Sequence, residues 1–300
     1  MTVRKILVFG GGGMLGTTLK KVCGNEYHLI ITDKDDRDSI EKCDIRDLAS
    51  VKQWIDIHNP DIVMNFAAIV DLEYAENYKD DCYLTNTISA LHIFNLCKDK
   101  DIPYVFISTA GIYGNQKEFY TEEDFPTPLS VYGKSKFYTE QCLLNQNYEK
   151  YWIFRAGWMM GGGPDIDKKF VNKIIKQIAS GKEELFVVDD KLGVPTYTKD
   201  FATSIIRHIE EDLPYGLYNM VSSGEASRYD TATEINEYLN LGLKINKVDS
   251  DYFKSEYFAE RPYSEKLINE ALIKLNRNYM RDWKVCLHEY LDEYFSNYKK

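Results

Sequence analysis

The chain has 300 residues, of which 44% are hydrophobic, and a formal net charge of −10 at pH 7. This length accommodates one large α/β unit with a smaller lobe, or two modest domains. The negative charge gives no net attraction to nucleic acid or to an anionic membrane surface. No apolar run approaches the roughly 20 residues needed to cross a bilayer. We therefore expect neither nucleic acid nor a membrane among its partners.

The six cysteines and five histidines are dispersed along the chain. No two cysteines form a CxxC pair, and none lies beside a histidine at zinc-ligand spacing. Scattered cysteines of this kind are typical of the core of a protein in a reducing compartment. The chain enters its first strand at Ile6 without a charged leader or a cleavage signal. We predict a cytoplasmic location and no metal centre.

Short apolar runs alternate with helical patterns along the first two-thirds of the chain. The predicted strands cover 6–9, 28–32, 62–66, 104–107 and 151–154, and the predicted helices cover 14–23, 48–58, 81–97 and 135–145. Strands and helices in this alternation build βαβ units with a parallel sheet and helices on both faces. We therefore predict an α/β fold of the Rossmann type, a doubly wound parallel sheet.

The pattern changes after residue 155, where a glycine-rich loop interrupts the regular alternation. The predicted elements are a helix at 170–180, a strand at 185–188, a helix at 199–210, and short elements from about 243 to the end. We predict a dinucleotide-binding domain at 1–155, to which about 195–222 returns. Residues 156–194 and 223–300 are predicted to form a smaller C-terminal substrate-binding lobe, with the ligand cleft between the two parts.

A glycine-rich turn follows the first predicted strand. Gly10, Gly13 and Gly16 recur at intervals of three residues. Met14 and Leu15 open the helix that follows. Glycine permits a tight turn, a close approach of phosphate to the backbone, and close packing of the helix on the strand. Since a helix N-terminus attracts phosphate, we predict that these five residues bind the pyrophosphate of a dinucleotide.

Acidic residues follow the second predicted strand. Asp33 stands at its end, where a carboxylate can accept hydrogen bonds from the adenosine ribose hydroxyls. The same charge repels a 2′-phosphate, which favours NADH over NADPH as the cofactor. The preference is mild, because Lys34 and Arg37 lie close enough to bind that phosphate. Asp44 and Ile45 follow where an adenine contact is expected.

Tyr132 and Lys136 are four residues apart near the start of a predicted helix, so that their side chains face the same way. A phenol has a pKa of about 10, and a neighbouring ammonium lowers that pKa toward neutrality. The pair therefore suits proton transfer. Tyr113 and Lys117 have the same spacing, but they lie in a Gly-Asn loop that would not hold them together. We predict that Tyr132 transfers the proton.

The sequence resembles the extended short-chain dehydrogenase/reductases and, within them, the dTDP-4-dehydrorhamnose reductase family. The resemblance covers nearly the whole chain. Its stretches are the nucleotide loop at 8–16, Asn-Phe-Ala-Ala at 65–68, the acidic stretch at 72–76, the segment at 128–136, Phe-Arg-Ala-Gly-Trp at 154–158, the segment at 187–196, Arg261-Pro262 and Trp283. The segment at 187–196, Val-Val-Asp-Asp-Lys-Leu-Gly-Val-Pro-Thr, is the most specific to this family.

The resemblance implies a role for each matched site residue. The implied catalytic residues are Thr109, Tyr132 and Lys136. The implied cofactor contacts add Ala67, Ala68 and Asn86 to the glycine loop, Asp33, Asp44, Ile45, Tyr132 and Lys136. The implied substrate contacts are Ser108, Thr109, Trp158 and Arg261.

The resemblance implies NADH- or NADPH-dependent reduction of the 4-keto group of a nucleoside-diphosphate 4-keto-6-deoxysugar, as in dTDP-rhamnose biosynthesis. It also leads us to expect a homodimer. Two alternatives stay open. The stretch 108–113, Ser-Thr-Ala-Gly-Ile-Tyr, is more similar to nucleotide-sugar epimerases and dehydratases than to the usual Asp-Tyr-Val-Phe continuation of the family. A non-catalytic, NADP-binding regulatory subunit would share the same fold.

Overall fold

The computed structural model describes residues 3–37 and 40–300. The strands are β1 (Arg4–Phe9), β2 (Tyr27–Asp33), β3 (Glu41–Lys42), β4 (Ile62–Asn65), β5 (Tyr104–Thr109), β6 (Phe119–Tyr120), β7 (Tyr151–Ala156), β8 (Trp158–Met160), β9 (Glu184–Val188), β10 (Leu192–Gly193), β11 (Pro195–Tyr197), β12 (Gly216–Asn219), β13 (Ala226–Ser227), β14 (Lys244–Val248) and β15 (Lys266–Leu267). The α-helices are α1 (Met14–Val22), α2 (Leu48–His58), α3 (Leu72–Asn77), α4 (Lys79–Tyr83), α5 (Ala90–Asp99), α6 (Val131–Leu144), α7 (Phe170–Ala179), α8 (Thr198–Glu210), α9 (Arg228–Tyr238), α10 (Glu270–Lys274) and α11 (Trp283–Phe295). A π-helical turn at Leu84–Ser89 joins α4 to α5.

Seven parallel strands form the central sheet, in the order β12-β7-β5-β4-β1-β2-β3. Along β1, Ile6 and Val8 face one hydrophobic cluster, whereas Leu7 and Phe9 face the other. Helices α1 and α8 cover the first face, and α2, α5 and α6 cover the second. A strand buried on both faces is a nearly continuous apolar run, which is why periodicity identifies it. The predicted Rossmann-type, doubly wound α/β fold is confirmed.

A third hydrophobic cluster lies in the C-terminal part of the chain, between α7, α9, α11 and the parallel pair β9 and β14. We predicted only short elements after residue 243, and this was wrong, because α11 has 13 residues. Its buried face includes Cys286 and Tyr290 beside Leu287 and Leu291. Frequent tyrosines and charged residues there obscure the helical period in the sequence.

The chain crosses between the two parts more than once. After β9 it forms β10 and β11, and α8 then packs on α1 beside the central sheet. Strand β12 adds to the edge of that sheet by pairing with β7. Within residues 3–37 and 40–300, no helix has the length and apolar character needed to span a bilayer. The same residues contain no cluster of three or more His, Cys, Asp or Glu side chains suited to a metal.

Candidate active site

The glycine turn between β1 and α1 has no room for larger side chains. Gly10 has φ +74°, and a Cβ there would lie 2.3 Å from the backbone nitrogen of Ala67. A Cβ on Gly16 would lie 2.4 Å from the Cα of Gly11. Gly13 precedes α1 without any side-chain capping bond, so no side chain occupies the free N–H groups of the first turn. The turn is therefore shaped to receive phosphate oxygens at its backbone.

The two residues that open α1 differ in exposure. Leu15 is 7% exposed and belongs to the core, so only its backbone faces the turn. Met14 lies against a second glycine loop, because a Cβ on Gly162 would be 3.2 Å from the Cα of Met14. Gly161, Gly162 and Gly163 all have positive φ, at 140°, 79° and 82°. This loop from the C-terminal part thus contacts the predicted phosphate turn.

Asp33 lies at the end of β2 beside the glycine turn. Its Oδ2 accepts a hydrogen bond of 2.9 Å from the backbone N–H of Gly12, and its Oδ1 accepts one of 3.3 Å from Asp35. Carboxylate oxygens have further lone pairs for ribose hydroxyls. Arg37 donates to the carbonyl oxygen of Gly12 over 3.0 Å, which places a guanidinium on the same side of the turn.

The side chains predicted to meet adenine are engaged elsewhere. Arg46 donates from Nε to both carboxylate oxygens of Asp44 at 3.0 Å, and its hydrogen bonds hold the pKa of Asp44 below its usual range. Arg46 also pairs with Asp81 over 2.6 Å. Ile45 is 3% exposed and packs in the core. The Ile45 side chain is therefore enclosed, whereas the Asp44 carboxylate is 32% exposed and keeps lone pairs for a further donor.

Asn86 holds the loop that follows β4. Its Oδ1 accepts from the N–H of Ile69 over 2.8 Å, and its Nδ2 donates to the Ile69 carbonyl over 2.9 Å. Nδ2 also donates to the Ser135 hydroxyl on α6 over 3.0 Å. Ala67 and Ala68, in the same loop, are partly buried. Because its amide is saturated by protein groups, Asn86 positions this loop, and its prediction as a direct cofactor contact is not supported.

The segment around Asn86 departs from the predicted single helix at 81–97. The helical run begins at Lys79 and contains the π-helical turn Leu84–Ser89. A π turn adds one residue to a helix and often occurs at functional sites. Here the carbonyl of Asn86 accepts from the Thr139 hydroxyl over 2.8 Å, and the Thr87 hydroxyl donates to the Ser135 carbonyl over 2.8 Å. The irregular turn therefore docks on α6.

The first turn of α6 brings Tyr132 next to Thr109. Ser130 caps the helix by accepting a hydrogen bond of 3.1 Å from the N–H of Gly133. A Cβ on Gly133 would lie 2.3 Å from the carbonyl oxygen of Gly111, in the turn after β5. The two backbones therefore touch. Thr109 lies two residues before Gly111 and Tyr132 lies next to Gly133, so this contact holds the two side chains on adjacent segments, and the Thr109 side chain acts to lower the pKa of Tyr132.

Burial dominates the titration of this pair. It raises the pKa of Tyr132 to about 12, against the lowering effect of Thr109, and the charge of Glu265 raises it further. Burial also lowers the pKa of Lys136 to about 7. The Lys136 ammonium lies 4.1 Å above the Phe106 ring. The expected lowering of the Tyr132 pKa by Lys136 is not seen, because burial sets the direction of the shift and Lys136 is not among the groups that act on the phenol.

The alternative pair, Tyr113 and Lys117, has no catalytic geometry. Tyr113 is fully buried, and its hydroxyl donates to the carbonyl of Thr121 over 2.7 Å. The same hydroxyl accepts from the guanidinium of Arg155 over 2.6 Å. Lys117 is paired with Asp124. These side chains stabilise the fold and do not border the space beside Thr109.

Ser108 and Thr109 have different surroundings at the end of β5. Successive side chains on a strand point to opposite faces. Ser108 is 2% exposed, and its hydroxyl has no hydrogen-bond partner among the described residues. Since its side chain is enclosed, the predicted contact of Ser108 with substrate is not supported. Thr109 is the hydroxyl on the side of Tyr132.

Trp158 is the first residue of β8, and its side chain is held by contacts with three other segments. Its indole N–H donates to the Oε2 of Glu265 over 2.5 Å. A Cβ on Gly193 would lie 2.3 Å from the indole ring, so the ring packs directly on the backbone of the segment 187–196. The guanidinium carbon Cζ of Arg228 lies 3.7 Å from the centroid of the Trp158 ring and 5.0 Å from the centroid of the Phe170 ring. The indole orientation is thereby restricted.

Arg261 is already neutralised by a carboxylate. Its Nη2 donates to both oxygens of Glu73, over 2.8 and 3.0 Å, and its Nη1 donates to the carbonyl of Ala259 over 2.8 Å. Nη2 thus serves both oxygens of the carboxylate and Nη1 serves a carbonyl, which leaves fewer N–H groups free for a phosphate. The predicted role of Arg261 in binding substrate is therefore not supported by its side-chain contacts.

Arg228 and Lys169 are two cationic side chains that the sequence did not identify as candidate site residues. Within the part of the chain that the structure describes, neither Arg228 nor Lys169 forms an ion pair with a carboxylate. Burial lowers the pKa of Arg228 to about 10. Burial and then the charge of Arg228 lower the pKa of Lys169, whose ammonium donates to the Val70 carbonyl over 3.4 Å. No short motif identifies such isolated cations.

The family model for the RmlD substrate binding domain matches residues 4–296. The chain belongs to this family. The predicted resemblance is confirmed, since the match spans both the nucleotide turn and the C-terminal part. The chain is similar in sequence and in structure to proteins named dTDP-4-dehydrorhamnose reductase.

Three RmlD-type relatives illustrate the similarity. The Bacillus subtilis spore coat polysaccharide biosynthesis protein SpsK is 34% identical, covering 96% of this chain and 97% of its own length. The crystal structure of dTDP-4-dehydrorhamnose reductase from Yersinia enterocolitica has a TM-score of 0.88 and 32% identity, covering 97% of this chain and 100% of that one. The Bacillus anthracis reductase in complex with NADP has a TM-score of 0.87 and 28% identity, covering 98% and 100%.

Proposed function

We propose that the chain reduces the 4-keto group of a nucleoside-diphosphate 4-keto-6-deoxysugar, using NADH or NADPH, as dTDP-4-dehydrorhamnose reductase. The observation that carries the proposal is the contact of the first turn of α6 with the turn after β5, where a Cβ on Gly133, next to Tyr132, would lie 2.3 Å from the carbonyl oxygen of Gly111, two residues after Thr109. Lys136 lies one turn further along the same helix. Membership of the RmlD family supplies the substrate class.

The protein offers a site that fits a dinucleotide. The Gly10 and Gly16 positions leave no space for a Cβ, and the first turn of α1 presents backbone donors toward the phosphates. Asp33 lies where the adenosine ribose would be. The reduced nicotinamide supplies hydride when bound. We also propose the division predicted from the sequence, with the cofactor held by 1–155 and 195–222, and the sugar nucleotide by 156–194 and 223–300.

Tyr132 donates the proton that completes the alcohol at C4. A pKa of about 12 keeps that proton on the phenol at neutral pH, which suits a general acid acting on a strongly basic alkoxide. Thr109 donates a hydrogen bond to the carbonyl oxygen and holds it next to the phenol. Lys136, one turn further along α6, holds the nicotinamide ribose by hydrogen bonds.

The proton-transfer role is tested by Tyr132→Phe, with Tyr138→Phe as the matched control on the exposed side of the same helix. Turnover is followed as the loss of reduced-cofactor absorbance with dTDP-4-keto-L-rhamnose made in situ. We expect kcat to fall by about 10²- to 10⁴-fold in Tyr132→Phe and to stay near wild type in Tyr138→Phe. Wild-type turnover in Tyr132→Phe would refute the assignment. Substrate conversion without net consumption of reduced cofactor would indicate an epimerase.

The cofactor preference is a separate proposal. The Asp33 carboxylate favours NADH, whereas Arg37, 3.0 Å from the Gly12 carbonyl, offers a cation to a 2′-phosphate. We propose a modest preference for NADH, because the carboxylate sits closest to the turn. The ratio of kcat/KM for NADH to kcat/KM for NADPH measures it directly. A ratio below one would mean that Arg37 outweighs Asp33.

Arg228 and Lys169 are our candidates for the substrate diphosphate. Both cations are desolvated and they repel each other, so an anion that binds between them stabilises both charges. Arg228→Gln should raise the KM for the nucleotide sugar by about tenfold or more, with a smaller change in kcat. Arg207→Gln is the matched control, since Arg207 also stacks on an aromatic ring, 3.6 Å over Tyr279 at the surface. Equal KM values for the two variants would contradict the proposal.

Assembly and location are proposed from the sequence. A homodimer is the default for such enzymes, and Leu84, Ile88 and Tyr138 expose apolar surface on the segment that joins α4 to α5 and on α6. The molar mass from light scattering, with Ile88→Glu as the perturbing variant, tests the dimer. A cytoplasmic location is tested by cell fractionation.

A further inference from the structure

Glu265 is an acidic side chain beside the proposed catalytic residues, and the mechanism above does not use it. Its Oε1 lies 3.1 Å from the point where a Cβ on Gly111 would stand. The Thr109 hydroxyl oxygen lies 3.5 Å from that same point. The charge of Glu265 also acts on Tyr132. The carboxylate therefore borders the space in which the keto group would meet Thr109 and Tyr132.

The position of this carboxylate is determined by protein contacts. The backbone N–H of Glu265 donates to the carbonyl of Leu192 over 2.8 Å. Its Oε2 accepts from the Trp158 indole over 2.5 Å, and that indole is packed between Gly193 and Arg228. Across residues 3–37 and 40–300, no donor reaches Oε1. One oxygen is thus fixed by the protein, and the other keeps its lone pairs free at 3.1 Å from the Cβ position of Gly111.

An ionised carboxylate can only accept hydrogen bonds, so its partner on the substrate must be a donor. In a 4-keto-6-deoxysugar, the carbons adjacent to the keto carbon are C3, which carries a hydroxyl, and C5, which carries a methyl group. The ring oxygen has no hydrogen to donate. The C3 hydroxyl is therefore the nearest possible donor to a group that lies beside the keto oxygen.

We propose that Glu265 is a specificity-determining residue that accepts a hydrogen bond from the C3 hydroxyl of the sugar. The inference rests on the proposed reductase function. The bond holds the ring so that C4 is presented to Thr109 and Tyr132. Trp158 orients Glu265 and covers the sugar, which assigns it a positioning role.

The test compares dTDP-4-keto-L-rhamnose with its 3-deoxy analogue in wild type, Glu265→Gln and Glu265→Asp. A site built for a charged hydrogen bond rejects a ligand that lacks the donor. We expect wild type to prefer the natural sugar by about 10- to 100-fold in kcat/KM. The preference should fall to within about threefold in Glu265→Gln, and to an intermediate value in Glu265→Asp, whose shorter side chain keeps the charge.

Each ratio is measured on one preparation, so that any inactive protein cancels. Glu123→Gln is the matched control, since its side chain is 80% exposed, and it should keep the wild-type preference. An undiminished preference in both Glu265 variants would overturn the inference, as would a wild type that does not distinguish the two sugars. A wild type that reduces neither sugar would instead refute the proposed function.

Discussion

The buried charge of Lys136 should lower the free energy of unfolding of the protein. We therefore expect the Lys136→Met variant to be more stable than wild type. The side chain is 3% exposed, and its ammonium has the Phe106 ring as its nearest compensation. The neighbouring acid on α6, Glu140, is already paired with Arg155 over 2.7 Å. Burial lowers the pKa of Lys136 from 10.5 to about 7. That difference sets an upper limit of about 5 kcal/mol on the cost of keeping the charge buried.

The sign of the pH dependence follows from the lowered pKa. Below about pH 7 the ammonium is charged in both the folded and the unfolded protein, so the full cost applies. As the pH rises from about 7 toward 10.5, the folded protein holds a neutral amine while the unfolded chain still binds a proton, and the cost decreases. The methionine variant has no such cost. Allowing for relaxation around the charge, we expect it to be about 1–3 kcal/mol more stable than wild type at pH 6.

Urea unfolding of cofactor-free protein at pH 6 and pH 10 measures this difference. Lys134→Met, two residues earlier on α6 and partly exposed, is the control for the general effect of lysine-to-methionine exchange. The increase in the free energy of unfolding caused by Lys136→Met should be smaller at pH 10 than at pH 6. The variant should lack catalytic activity at both pH values. No gain at pH 6, or the same gain at both pH values, would refute the burial argument.

The contacts around α6 give two further predictions. Gly133→Ala places a Cβ 2.3 Å from the carbonyl oxygen of Gly111. Because a backbone atom cannot rotate away, the helix must shift. We expect kcat, measured by cofactor oxidation, to fall at least about tenfold. Glu140→Gln leaves the charge of Arg155 buried without its carboxylate and should cost about 3–5 kcal/mol in urea unfolding. A change below 1 kcal/mol in the second variant, similar to that of the exposed Glu149→Gln, would show that Arg155 is compensated by other groups.

The parts of the site that follow from local sequence were predictable. The turn at Gly10 and Gly16 and the helix carrying Tyr132 and Lys136 each depend on short spacings, and the structure has a tight turn before α1 and a helix over Val131–Leu144. The central sheet was predictable for the same reason, because buried parallel strands are short apolar runs in regular alternation with helices.

The remaining features depend on contacts between distant segments. Nothing around Arg261 indicates that Glu73 neutralises it, and nothing around Glu265 or Arg228 indicates that both lie against Trp158. The rise in the pKa of the Tyr132 phenol likewise depends on burial, which no spacing of residues reveals. Charged residues that act singly have no periodicity or motif, and only the folded chain shows which of them share a site.

The π-helical turn at Leu84–Ser89 also limits how this protein can change in length. Deleting one residue there would restore an ordinary α-helix and rotate α4 relative to α5 by about 100°. Asn86 could then no longer reach Ile69 and Ser135 at once. We therefore expect homologous chains to vary in residue type along this segment while keeping its number of residues, so that a gap in an alignment at this point would mark a chain whose loop after β4 is held in another way.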